Sequence, residues 1–163
     1  MSLKDTLKED MKVAFKAGDT LTRSTLTMVL SVVQNRELEK RAKLMKAGAT
    51  SEADVVAQSA LTDEETLEAV SSEIKKRRDA ATQYEAAGEP ERAAAEQAEA
   101  QTLLKYLPEQ LTEEAVKALI AEAIASTGAA GSKDKGRVMA VVAPKTKGKF
   151  DGARVNQLVT EAL

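Results

Sequence analysis

The chain has 163 residues, 43% of them hydrophobic but only 2% aromatic, and a formal net charge of −2. That length allows one domain or two small ones, and alanine-rich apolar content suits helices packed through small side chains rather than a β-sandwich or barrel. Cysteine and histidine are both absent, which excludes disulfides, thiolate metal sites, thiol nucleophiles and the usual acid–base group of neutral pH.

The opening residues MSLKDTLKED carry charges every few positions without an apolar run, so no signal peptide is predicted. No stretch approaches the roughly 20 apolar residues that span a bilayer. A cytoplasmic location and no membrane partner are the expectation.

The first predicted helix follows Ser2 as cap, with Leu3, Leu7, Met11 and Phe15 on one face and Gly18 as its left-handed stop. Asp19 or Thr20 opens a longer helix whose Leu21, Leu26, Met28, Val29, Leu30, Val32 and Val33 form a wide stripe suited to burial. It fades into RELEKRAKLMKAG, where Glu37 precedes Arg41 and Glu39 precedes Lys43 by four residues. Residues 48–60 lack strong periodicity and read as a surface loop or frayed connection.

Thr62 and Glu65 form a capping box, with Asp63 and Glu64 in the first turn. The helix they start should run to about Ala87, ahead of Gly88 and Pro90. Leu67, Val70, Ile74, Ala81 and Tyr84 supply the seam of an antiparallel pair with the next helix, which starts at Pro90 and stops before Pro108. Lys75, Lys76, Arg77 and Arg78 are consecutive and cannot share one face; a solvated surface is the expectation, with Arg77 pairing to Glu73.

Three short helices are predicted after YLPEQ. Thr112 caps the first and Gly128 ends it; Ser132 caps the second, which runs to Val142 and is stopped by Pro144; Asp151 caps the last. The fold class is therefore all-α: an N-terminal helical domain over 1–107 and a small three-helix domain over 108–163.

The charge is uneven. Between residues 131 and 163, Lys133, Lys135, Arg137, Lys145, Lys147, Lys149 and Arg154 face three acids, a net +4, which leaves −6 on the rest. An acidic body with a basic end fits an anionic partner, and an ordinary solvated face is the alternative. Gly136 falls inside a predicted helix, where such a residue often marks close approach of another backbone. Gly148 and Gly152 are expected to serve a turn. Lysines in a loop ahead of a helix N-terminus can hold phosphate groups. With Phe150 the only aromatic nearby, backbone and shape recognition of folded RNA fits better than stacking on bases. KTKGKFDG lacks the glycine spacing of a phosphate loop, and the acid runs at 63–65 and 113–114 read as helix starts. No catalytic residue, cofactor or metal site is predicted.

YLPEQLTEE, then GAAGSKDKGRVMAVVAPKTKGKFDGARVNQLV, resembles the signature of the GatB/YqeY family, and the upstream LTDEETLEAVSSEIKKRRDAATQYEAAGEPERAAAEQAEAQTLLKYLP resembles its stand-alone YqeY-like members. The resemblance implies an all-helical protein whose tail is similar to the one closing the B subunit of glutamine-dependent aminoacyl-tRNA amidotransferase. There the tail helps hold tRNA, and the chemistry occurs in domains this chain lacks. By that analogy the seven basic residues are RNA-contacting candidates, and tRNA or another folded RNA is the expected partner. The alternatives are a protein-interaction module built on the long helices, and carbon–nitrogen ligase activity with glutamine as amido donor.

Overall fold

A computed structural model of the protein describes residues 1–48 and 51–163. Among the described residues there are eight α-helices, one 3-10 turn and no strand, and no helix is long and apolar enough to cross a membrane. The described chain divides into two compact units, Met1–Tyr106 and Leu107–Leu163.

In the first unit, α1 (Leu3–Ala17) starts at a Ser2 capping box closed by Asp5 and ends at Gly18, whose φ of 71° is left-handed. The turn leads directly into α2 (Thr20–Lys46), capped by Asp19. Of the apolar stripe, Leu7, Leu26, Val29 and Val33 are fully buried, whereas Phe15 is 62% and Met28 50% exposed. Phe15 instead lies beneath the Arg23 guanidinium, 4.7 Å from ring centroid to the charged carbon, a cation–π contact at the surface.

The segment read as a loop at 48–60 is largely helical: α3 (Glu52–Ser59) is capped by Ser51 and buries Val55 and Ser59 against α2. One buried apolar side chain is too few for a periodic signal, and packing against the longer helix holds this short one in place. Residues 49 and 50 of that reading lie outside the described residues.

Helix α4 (Asp63–Ala86) begins at the predicted Thr62–Glu65 capping box, and at 24 residues is roughly 36 Å long. It turns at Gly88 into α5 (Pro90–Leu104), and the two pack antiparallel over Val70, Ile74, Ala81, Ala93, Ala100 and Leu103. Alanines along the seam let the backbones approach closely. α5 stops three residues short of Leu107, and Tyr106 folds back beneath it: its hydroxyl donates to Asp10 at 2.6 Å. Burial, then the carboxylate, keeps that phenol protonated far above its ordinary range.

The KKRR run is not a uniformly solvated face. Arg77 is 5% exposed; it donates to Glu73 at 2.9 Å and to Glu99 of α5 at 2.9 Å, and its third nitrogen lies 3.0 Å from the Met28 sulfur of α2. Burial raises the Glu73 pKa, but hydrogen bonds from Lys76 and Arg77 outweigh it and leave the carboxyl below its usual value. One arginine thus joins three helices. Lys4 and the Leu61 amide converge in the same way on Glu37, which is not bonded to Arg41 as its spacing suggested.

The second unit is a three-helix bundle: α6 (Glu113–Thr127), α7 (Lys135–Thr146) and α8 (Gly152–Ala162), with a 3-10 turn at Ser132–Asp134 ahead of α7. Val116 and Ile120 of α6, Val138 and Val142 of α7, and Val155, Leu158 and Val159 of α8 make its core, with Phe150 half-buried against it. Thr112 caps α6, Gly128 ends it at a φ of 62°, and Asp151 caps α8. Ser132 makes no side-chain cap; Asp134 accepts the Ala130 amide instead.

Pro144 does not stop α7, which continues to Thr146. Proline removes one N–H, and the carbonyl that would accept it belongs to Ala140, an exposed residue whose oxygen can turn to water. Beyond the ring, the Lys147 amide donates to Ala143 at 3.0 Å and the buried Thr146 hydroxyl to Val142 at 3.1 Å. Gly136 is exposed, and an added Cβ would meet nothing within 4 Å, so no backbone approaches it there. Gly152 lacks the left-handed φ seen at Gly148 and serves as the first residue of α8.

Removing one partner of a buried ion pair strands the other charge, at a cost of about 3–5 kcal/mol. Arg77→Ala in the full chain is therefore expected to lower unfolding free energy by about that amount in urea titrations. A loss below about 1 kcal/mol, the range of surface pairs, contradicts the buried junction.

Candidate functional site

The seven basic candidates fall at the two ends of α7 and on α8. Lys133 is exposed in the 3-10 turn, with Lys135 and Arg137 in the first turn of α7. Lys145 follows ten residues later, about 15 Å along the axis. At the first end, positive side chains sit near the positive pole of the helix dipole, an unfavourable place, and local partners offset it. Arg137 forms an ion pair with Asp134, and Lys135 donates to Asn156 of α8 at 2.7 Å.

The second end is built differently. The Lys149 and Phe150 amides both donate to the Thr146 carbonyl, at 2.9 and 3.0 Å. Gly148 takes the left-handed φ of 72° that this reversal needs. Phe150 then sinks against the bundle core, and Asp151 accepts the Arg154 amide at 2.8 Å to begin α8. Lys145, Lys147 and Lys149 are all exposed around this turn. Lys145 approaches Glu122 of α6 at 3.6 Å, where both side chains are largely in solvent, so the attraction is weak. Lysine near a helix C-terminus also meets the negative pole of the dipole, which favours its placement. Asp151 occupies part of the N-terminus of α8, so recognition of an anion falls to the ammonium groups more than to that helix end.

Arg154 has another task. Its Nε and one terminal nitrogen grip Glu113 of α6 at 3.1 and 2.9 Å, while the other reaches Glu161 at 3.3 Å. Lys117 completes the group, 2.7 Å from Glu113. A bidentate arginine–carboxylate pair is geometrically specific, and this one ties the start of α6 to α8. Hydrogen bonds from Arg154 and then Lys117 hold the Glu113 carboxyl down at about 2. Glu113, read as a helix start, is therefore also the partner of a candidate site residue 41 positions away. Over the whole second unit, eight basic residues face seven acidic ones, a net +1. The excess of the tail is largely balanced by the acids of α6, and what distinguishes the turn is local density: three lysines in five residues.

A group whose folded pKa is depressed contributes stability above its unfolded value and loses it as pH falls through the folded one. For Glu113 that window runs from about 4.5 down to about 2. Glu113→Gln should remove this component: the difference in unfolding free energy between wild type and variant is expected to be constant above pH 5 and to shrink between pH 4.5 and 2. A difference independent of pH across that window contradicts the pairing.

No curated protein matches the chain. A family model described as Yqey-like protein matches residues 44–163, about three quarters of the sequence, including all of the second unit and the helical pair α4–α5. The match spans both the lysine turn and the helices that precede its domain, and the chain belongs to the family of YqeY-like proteins.

Proposed function

We propose that the protein is an RNA-binding accessory factor that holds folded RNA, tRNA foremost, by its phosphate backbone, and carries out no group transfer by itself. The observation that carries this reading is the turn after α7, where Lys145, Lys147 and Lys149 are exposed around a left-handed glycine. Ammonium groups on flexible stems suit phosphate oxygens without reading base identity. The lack of exposed aromatic side chains around the turn is consistent with a folded rather than single-stranded target. The resemblance of the second unit to the tail of an amidotransferase subunit supports the choice of tRNA.

Amido transfer from glutamine finds less support. The chain has no cysteine or histidine to serve as nucleophile or neutral-pH base for it. A protein-docking role draws on one observation of its own: Val13, Phe15, Leu21 and Met28 of α1 and α2 are 58, 62, 40 and 50% exposed. It becomes the leading reading if the purified protein ignores RNA and retains a defined protein partner through those residues.

The test is the salt dependence of tRNA binding. Each phosphate neutralised adds roughly 0.7–0.9 to the slope of log affinity against log salt. Replacing Lys145, Lys147 and Lys149 together by alanine should lower both affinity and slope, by about two units of slope. Arg154→Ala should affect stability more than the slope. Unchanged binding in the triple variant would falsify the proposal.

A further inference from the structure

We propose that the segment entering α6, Pro108–Leu111, is a built part of the lysine turn and that Gln110 is its positioning residue. The inference rests on the RNA-binding reading above for its purpose, and on geometry alone for its mechanism.

Two successive carbonyls of the turn are taken by this one segment. The Gln110 side-chain amide donates to the Gly148 carbonyl at 3.0 Å and to the Pro108 carbonyl at 2.8 Å, bracing the two strands of chain against each other. The Leu111 backbone amide donates to the Lys149 carbonyl at 2.8 Å. Leu111 and Phe150, one from each side, are both half-buried against the bundle core, so the pair of bonds is anchored at its inner edge. The last carbonyls of a helix have no intrahelical partner; here the chain just past α7 finds its acceptor satisfaction 38 residues back in sequence.

The electrostatic consequence follows from the direction of those bonds. With the Gly148 and Lys149 carbonyl oxygens turned onto Gln110 and Leu111, their negative ends are directed at the segment and not at an approaching anion. The exposed lysine side chains then present positive charge from a turn already fixed before binding. Ordering a flexible turn at the moment of binding would reduce affinity. The segment removes that cost without itself touching phosphate.

The experiment uses the full chain and compares wild type with Gln110→Ala and Gln110→Glu, neither of which can donate to Gly148. Two readouts are taken: amide hydrogen exchange at Leu111, Lys149 and Phe150 in the free protein, and tRNA binding as a function of salt. Loss of one hydrogen bond should speed exchange at the three amides roughly fivefold, with global unfolding little changed. Binding of tRNA by Gln110→Ala should weaken several-fold while its salt slope stays that of the wild type, because no phosphate contact is lost. Unchanged exchange overturns the positioning role. So does unchanged affinity in the presence of faster exchange, and so does a fall in slope, which would make Gln110 a direct phosphate contact. Failure of the wild type to bind tRNA would instead overturn the RNA-binding reading, and the exchange rates would still decide whether Gln110 holds the turn.

Discussion

Every α-helix leaves four N–H groups and four carbonyls without a partner inside itself. With eight helices among the described residues and 2% aromatic residues in the chain, satisfying those ends is the constraint on which the rest depends. Side chains of Ser2, Asp19, Ser51, Thr62, Thr112 and Asp151 take the amino ends. Gly18 and Gly128 turn two carboxyl ends in left-handed conformations. Each cap is worth about 1 kcal/mol, comparable with what a thin aliphatic core gains per methyl-sized contact. The chain just past α7 is completed from 38 residues away, by Gln110, and the geometry of the lysine turn follows from that.

Charge is used in two distinct ways. Arg77 and Arg154 are structural: each bridges helices through carboxylates, one buried beneath α2, α4 and α5, the other at the α6–α8 edge. Planar guanidinium groups suit such multidentate bridging. The cations around Gly148 are lysines with exposed, strongly hydrated ammonium groups, and the pairing of Lys145 with Glu122 is long and in solvent. Arg77 and Arg154 thus hold helices together, whereas the lysines of the turn keep their charge toward solvent.

Much of this was legible in the sequence because helix ends are local. The caps at Ser2, Thr62, Thr112 and Asp151, and the stops at Gly18 and Gly128, depend on residues within one turn and were readable as such. So was Arg77 with Glu73, four apart on one helix, but not Arg77 with Glu99, whose meeting needs the α4–α5 pairing. Helix α3 escaped because its stability comes from burying Val55 and Ser59, a tertiary effect with no periodic trace. Pro144 misled because the rule against proline inside a helix assumes a carbonyl that must be satisfied within the chain, and Ala140 is an exposed residue. At the site, the lysines announced themselves by type and spacing. The Arg154–Glu113 bridge and the tie from Gln110 to Gly148 did not, being 41 and 38 residues apart in sequence.

The central claim is that phosphate recognition is confined to one pre-formed turn. The most direct measurement is amide hydrogen exchange across the intact protein with and without saturating tRNA, at moderate salt. The account predicts added protection centred on residues 145–150, with α1 and α2 unchanged. Protection spread over α1 and α2, or none in the turn, would contradict it.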